Sequence, residues 1–127
     1  MVCLLNIKLC NYDQKHCDKL YAKDLVEKLE LKILVEGDID REVTGGYCGD
    51  LLSWVMGRAQ EDNAWITIMS NVNVIAVATL SDVSCVILSD GVRLDAELIE
   101  TAQSRDVNVL SSALPSFETA QKLFRKV

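Results

Sequence analysis

The chain contains one histidine, one proline and two phenylalanines in 127 residues, and each shortage narrows what it can do. A lone histidine removes the common arrangements in which imidazoles work in pairs at a metal or beside a nucleophile. No GxxxxGK[ST] phosphate loop, GxSxG elbow or HExxH helix occurs, so the usual signatures of nucleotide hydrolases, serine hydrolases and zinc peptidases are missing. The 13 lysines and arginines form no basic run and stand against 19 aspartates and glutamates, a net charge of -6. Nucleic acid and anionic membranes are therefore not expected partners, because both need a cationic surface. The longest apolar run near the start, Val2 to Cys10, is broken by Asn6 and Lys8 and lacks a basic leader and a small-residue cleavage site, which argues against a signal peptide or membrane span. Five cysteines, an odd number, fit free thiols in a reducing cytoplasm better than a disulfide framework.

What remains is the composition of a globular protein: half the residues are hydrophobic and a quarter charged. A chain of this length supports one core, since two would each bury too little surface. Residues 1 to 18 read as an N-terminal extension of uncertain status without a clean period, and residues 19 to 127 as a single domain. Ala22, Leu25, Val26 and Leu29 share one helix face. Ile33 to Val35 read as a strand. Val43 to Tyr47 read as a second extended piece, running into glycines 45, 46 and 49 that are expected to form a tight turn. Asp50 is placed to cap a helix to about Ala59 whose buried face is Leu51, Leu52, Val55, Met56 and Ala59.

Ala64 to Met69 and Val83 to Leu88 are strands in which β-branched residues are frequent. Between them, Asn71 to Leu80 alternates as a strand would, yet two parallel strands need a crossover of this length, and a helix capped by Ser70 or Asn71 is the reading adopted. Asp95 caps a helix to about Ser104, Val107 to Leu110 is a strand, and Ser116 caps a last helix with a core stripe of Phe117, Ala120, Leu123 and Phe124. Alternation of this kind predicts a three-layer α/β fold: a mostly parallel sheet of about five short strands flanked by about five helices.

The stretch Asp40-Arg41-Glu42-Val43-Thr44-Gly45-Gly46-Tyr47-Cys48-Gly49-Asp50-Leu51-Leu52 resembles the signature of the DRTGG domain family. The resemblance continues through Ala64 to Ile68, Asn73 to Ala78 and Cys85 to Leu88 to the Val109-Leu110 strand. It implies a fold like the N-terminal domain of HPr kinase and a regulatory role. Members are usually attached to catalytic partners such as phosphate acetyltransferases or CBS-containing pyrophosphatases, and no such partner segment is read in these residues. HPr kinase keeps its phosphate loop in a separate C-terminal domain, so the resemblance implies no kinase activity.

Three functional readings follow. The first is a stand-alone regulatory or sensor domain that binds a small ligand or a protein partner and works as a homodimer, with Ser53, Trp54 and Gly57 as the candidate interface because they lie off the core face of their helix. The second is a nucleotide or phosphate-ester binder using Arg41, Thr44, Gly45, Gly46, Tyr47, Gly49 and Asp50, in which amides ahead of a helix would hold an anion. Against it, a capping Asp50 would occupy the same amides, and Arg41 has Asp40, Glu42 and Asp50 nearby for ion pairing. The third is an unrecognised enzyme using Cys48 or the carboxylates of Asp40 and Asp50. Cys10, His16 and Cys17 lack the close spacing of a zinc site, so neither a metal nor a cofactor is expected. Cys85, inside an apolar strand, reads as core.

Overall fold

The structure, a computed structural model, describes residues 19–127; Cys10, His16 and Cys17 lie outside them. Five helices and five strands are present among these residues: α1 (Ala22–Lys28), β1 (Lys32–Val35), β2 (Gly45–Cys48), α2 (Leu52–Arg58), β3 (Asn63–Thr67), α3 (Asn73–Ser81), β4 (Cys85–Leu88), α4 (Ala96–Ser104), β5 (Val109–Ser111) and α5 (Ser116–Phe124). The sheet runs β1-β5-β4-β3-β2. Strands β2 to β5 are parallel, and β1 alone is antiparallel, paired to β5.

Burial explains this order. β4, Cys-Val-Ile-Leu, is buried along its whole length and lies in the middle, as an apolar strand covered on both faces must. One face packs Trp65, Val86, Leu88 and Val109 against Val55 of α2, Val74, Ile75 and Ala78 of α3, and Leu98 and Ala102 of α4. The other packs Ala64, Ile66, Cys85, Ile87 and Leu110 against Ala22 and Leu25 of α1 and Leu123 of α5. The crossover is a helix, as its length requires, but it starts at Asn73, and its cap position is Val72, without a side-chain bond, instead of Ser70 or Asn71; Asn71 accepts the Asn73 N–H at 2.9 Å just ahead of it. Asp95 caps α4 by accepting from Glu97 N at 3.0 Å.

Several local expectations need correction. Gly45 and Gly46 are not a turn: they are the first two residues of β2, and Gly91 is the only glycine at positive φ among the described residues. Asp50 does not cap α2. Leu51 occupies that position without a side-chain bond, because the Asp50 carboxylate turns instead to the end of β3. Ser116 is likewise inside α5, with Pro115 at the cap position, and its hydroxyl pairs with Ser89 Oγ at 2.6 Å. Phe117 and Phe124 are exposed, at 77% and 80%. A helix this short turns one narrow face inward, centred on Thr119 and Leu123, and both phenylalanines fall together roughly 120–140° away from it. Met56 is exposed because it stands about 100° round from Val55, the single buried residue of α2, and Leu51, at the cap position outside the helix, is exposed as well.

Candidate functional site

Three residues of the signature, Arg41, Gly46 and Asp50, each meet a different part of the fold. Arg41 sits where the chain enters the sheet edge, next to the turns that precede β3 and β4. Its Nε donates to Asp62 Oδ1 at 2.9 Å, and its terminal amino group reaches Asp82 Oδ1 at 3.0 Å and donates to the Asp82 carbonyl at 2.7 Å. Asp62 and Asp82 both hold left-handed backbone, φ 66° and 55°, a conformation Asp tolerates better than most residues. A planar guanidinium with several donors is suited to tie two such turns together. Burial opposes the charge on Arg41, but the two aspartates outweigh it and hold the group above its ordinary pKa. The expected local partners Asp40, Glu42 and Asp50 are not used in this way: Asp40 pairs with Lys23 at 2.9 Å, and Asp50 is engaged elsewhere.

Asn108, fully buried just ahead of β5, completes this end of the sheet. Its amide donates to the carbonyls of Asp38 at 2.6 Å and Ser84 at 3.1 Å, and its oxygen accepts from Gly37 N at 2.8 Å. A cavity of about 220 Å³ opens beside Arg41, Ser84, Arg105 and Asn108. None of Asp62, Asp82 or Asn108 was legible as a site residue, because each meets Arg41 or its surroundings only through the fold.

At the opposite end, Asp50 Oδ1 accepts from Thr67 Oγ1 at 2.8 Å and from Ile68 N at 2.9 Å, fastening the exit of β2 to the exit of β3. The Gly49 carbonyl accepts from the Trp65 indole N–H at 2.9 Å, which satisfies the polar tip of a fully buried aromatic. Gly46 lies under α5: a Cβ there would stand 2.7 Å from Leu123 Cδ2. Gly46, Tyr47, Cys48, Ala120, Phe124 and Val127 border an apolar groove of about 210 Å³. Thr44 is exposed and gives its N–H to the Asp62 carbonyl. The seven ligand candidates are thus close in sequence but do not form one site: Arg41 lines a polar cavity, Gly46 and Tyr47 border an apolar groove, and Thr44, Gly45, Gly49 and Asp50 line neither.

Cys48 is partly covered, and burial together with Asp50 pushes its thiol up, opposite to what an activated nucleophile needs. Cys85 is fully buried and pushed up to about 12. On α2, Trp54 is exposed with the Arg58 guanidinium stacked 3.8 Å over its ring, and nothing stands within 4 Å of a Cβ placed at Gly57. No group of three or more His, Cys, Asp or Glu suited to a metal ion occurs among the described residues. No helix among them is long and apolar enough to cross a membrane.

Fold and site together define a small three-layer α/β domain whose signature segment is woven into its scaffold. The family model of the DRTGG domain matches residues 24–125, and the chain belongs to that family. Among curated proteins none matches. Among solved structures, the chain is similar to the CBS and DRTGG domains of the regulatory region of Clostridium perfringens pyrophosphatase, complexed with its activator diadenosine tetraphosphate. The identity is 15% and the TM-score 0.65, over 81% of this chain and 45% of that one. The likeness is one of fold, and this chain spans less than half the length of that region.

Proposed function

We propose that this protein is a regulatory domain without catalytic activity, acting in the cytoplasm as a homodimer that responds to a small ligand or a protein partner. Its folded unit is residues 19 to 127, preceded by an extension. The observation that carries the reading is how the signature side chains are engaged: Arg41 in two ion pairs, Asp50 in two hydrogen bonds, Gly46 against Leu123. Groups committed to holding strands together are poor candidates for proton transfer or nucleophilic attack, which need a free, suitably poised group. The signature builds a scaffold whose surfaces do the work.

Nucleotides are the ligand class to try first, since the regulatory region of similar fold carries a dinucleotide activator. The polar cavity beside Arg41 and Arg105 is the place to look for one, with the phosphates having to meet Arg105 because Asp38, Asp82 and Asp106 also line the cavity and Arg41 is paired with Asp62 and Asp82. Thermal unfolding in the presence of mononucleotides, diadenosine tetraphosphate and acetyl phosphate tests this. A ligand at 100 times its dissociation constant adds about 2.7 kcal/mol of stability, read as a raised Tm, with the nucleotide recovered unchanged by chromatography. Hydrolysis or transfer of any of these compounds would overturn the non-catalytic reading.

A further inference from the structure

Helices α2, α3 and α4, which follow β2, β3 and β4, all pack on the face of Trp65 and Val86, whereas α5, which follows β5, lies on the other face with Ile66 and Leu110. The neighbouring strands β4 and β5 therefore send the chain to opposite faces from their carboxyl ends. In an open α/β sheet such a reversal opens a crevice between the two departing loops, and ligands settle there.

A cavity of about 540 Å³ lies at this point, between the loop after β4 (Gly91 to Leu94), the end of β5 at Ser111 and the adjoining strand β1. Its volume falls within the roughly 300–1,000 Å³ of small-molecule pockets, which neither the cavity beside Arg41 nor the groove beside α5 reaches. The walls are tied in place. Asp90 and Gly91 donate their N–H groups to the Leu114 and Ser112 carbonyls at 2.8 and 3.0 Å, fastening the loop after β4 to the loop after β5. Gly91 then takes a positive φ of 60° and turns the chain toward α4. This connection is the longest between any strand and its following helix among the described residues, as befits a loop that shapes a site.

The lining selects the occupant. Leu34, Val92 and Leu94 border the cavity and are half-buried against the core, so they offer an apolar floor. Three charged side chains stand around it: Glu30, Lys32 and Arg93. Glu30 is paired with Lys122 at 3.8 Å. Lys32 and Arg93 are exposed and enter no ion pair among the described residues. A chain with a net charge of -6 thus leaves two unpaired cations on one cavity with an apolar floor. An anion placed there gains charge-assisted hydrogen bonds without displacing an existing partner. Arg41 cannot offer this, because Asp62 and Asp82 already hold it.

We infer that this crevice is a small-molecule site for an organic anion, whose aromatic body lies on Leu34, Val92 and Leu94 and whose phosphate or carboxylate is held by Lys32 and Arg93. The inference rests on the small-ligand reading proposed above. It moves that ligand from the cavity beside Arg41, at the amino ends of the parallel strands, to their carboxyl ends.

Amide NMR of the full chain, titrated with AMP, phenylpyruvate and adenosine, tests it. The first two join an aromatic body to a phosphate or a carboxylate, and adenosine supplies the body alone. AMP or phenylpyruvate is expected to shift Gly91, Val92, Leu94 and Ser111, and whichever binds names the anion. Adenosine should bind at least about tenfold more weakly, and Lys32→Gln and Arg93→Gln should each weaken the anion by at least about tenfold. Arg105→Gln should leave it unchanged. All three variants alter exposed side chains, so their spectra without ligand should match the wild type away from the substitution. Binding that survives both crevice substitutions, or adenosine binding as tightly as AMP, would overturn the assignment. Shifts at Arg105 and Asn108 that vanish in Arg105→Gln would return the ligand to the cavity beside Arg41, ending this inference and sparing the ligand reading. No shift with any of the three probes also overturns the assignment, and the wider ligand reading then stands or falls by the thermal screen alone.

Discussion

Gly46 and Leu123 are matched as socket and plug: the β2 residue without a side chain receives the one residue of α5 that carries its apolar burial, with 2.7 Å between a would-be Cβ and Leu123 Cδ2. Gly46→Val should destabilise the domain by about 1–3 kcal/mol through overpacking. In a Leu123→Ala background the same change should cost much less, because the two positions share one space. Urea unfolding of the four proteins measures the coupling.

Gly37 and Gly57 should respond in opposite ways. A Cβ at Gly37 would meet the Asp106 backbone, which cannot step aside, whereas Gly57 has open space around it inside helix α2. Gly37→Ala is expected to lower stability by about 1–3 kcal/mol. Gly57→Ala is expected to raise it by up to about 1 kcal/mol, the difference in helix propensity. Thermal denaturation reads both.

The two described thiols should separate on alkylation. Cys48 is exposed and should react with iodoacetamide in the native protein, more slowly than a free thiol at the same pH because its pKa is raised. Cys85 is buried and should react only on unfolding. Its thiol is pushed from 9.0 up to about 12, so the neutral form is favoured in the folded state. The stability linked to Cys85 is complete below pH 9.0 and is lost as the pH rises toward 12, at up to about 1.4 kcal/mol per pH unit. Cys85→Ala should flatten that part of the stability profile relative to the wild type.

The two tryptophans give separable signals. Acrylamide should quench Trp54, which is half exposed under Arg58, and spare Trp65, which is fully buried with its N–H on Gly49. Trp65→Phe removes that bond and leaves a void, with an expected loss of about 2–4 kcal/mol in chemical denaturation.

Much of the architecture was legible because periodicity reports burial. Leu25 and Leu29, Val55, the Cys85 to Leu88 run and the Asp95 cap all stand where spacing and cap chemistry put them. The errors share a cause: local pattern is blind to what the third dimension places alongside. Two glycines in a row read as a turn, yet here they allow a helix to lie close on an edge strand. Asp50 looks like a cap until β3 ends beside it with the Thr67 hydroxyl and Ile68 amide unfilled. Phe117 and Phe124 keep helical spacing, but a nine-residue helix on a sheet buries a narrower stripe than that spacing suggests. The site was legible as a segment, residues 40 to 50, and not as a geometry, since the partners of Arg41 lie 21 and 41 residues further along the chain.

The central claim is that the signature holds the sheet together. Its most direct test is the unfolding free energy of Arg41→Ala and Asp50→Ala by urea titration. Loss of the Arg41 clamp or of the two Asp50 bonds should cost about 1–2 kcal/mol each, the range for partly exposed charge-assisted contacts. Variants as stable as the wild type would contradict the account, all the more so if they had lost a nucleotide-induced rise in Tm.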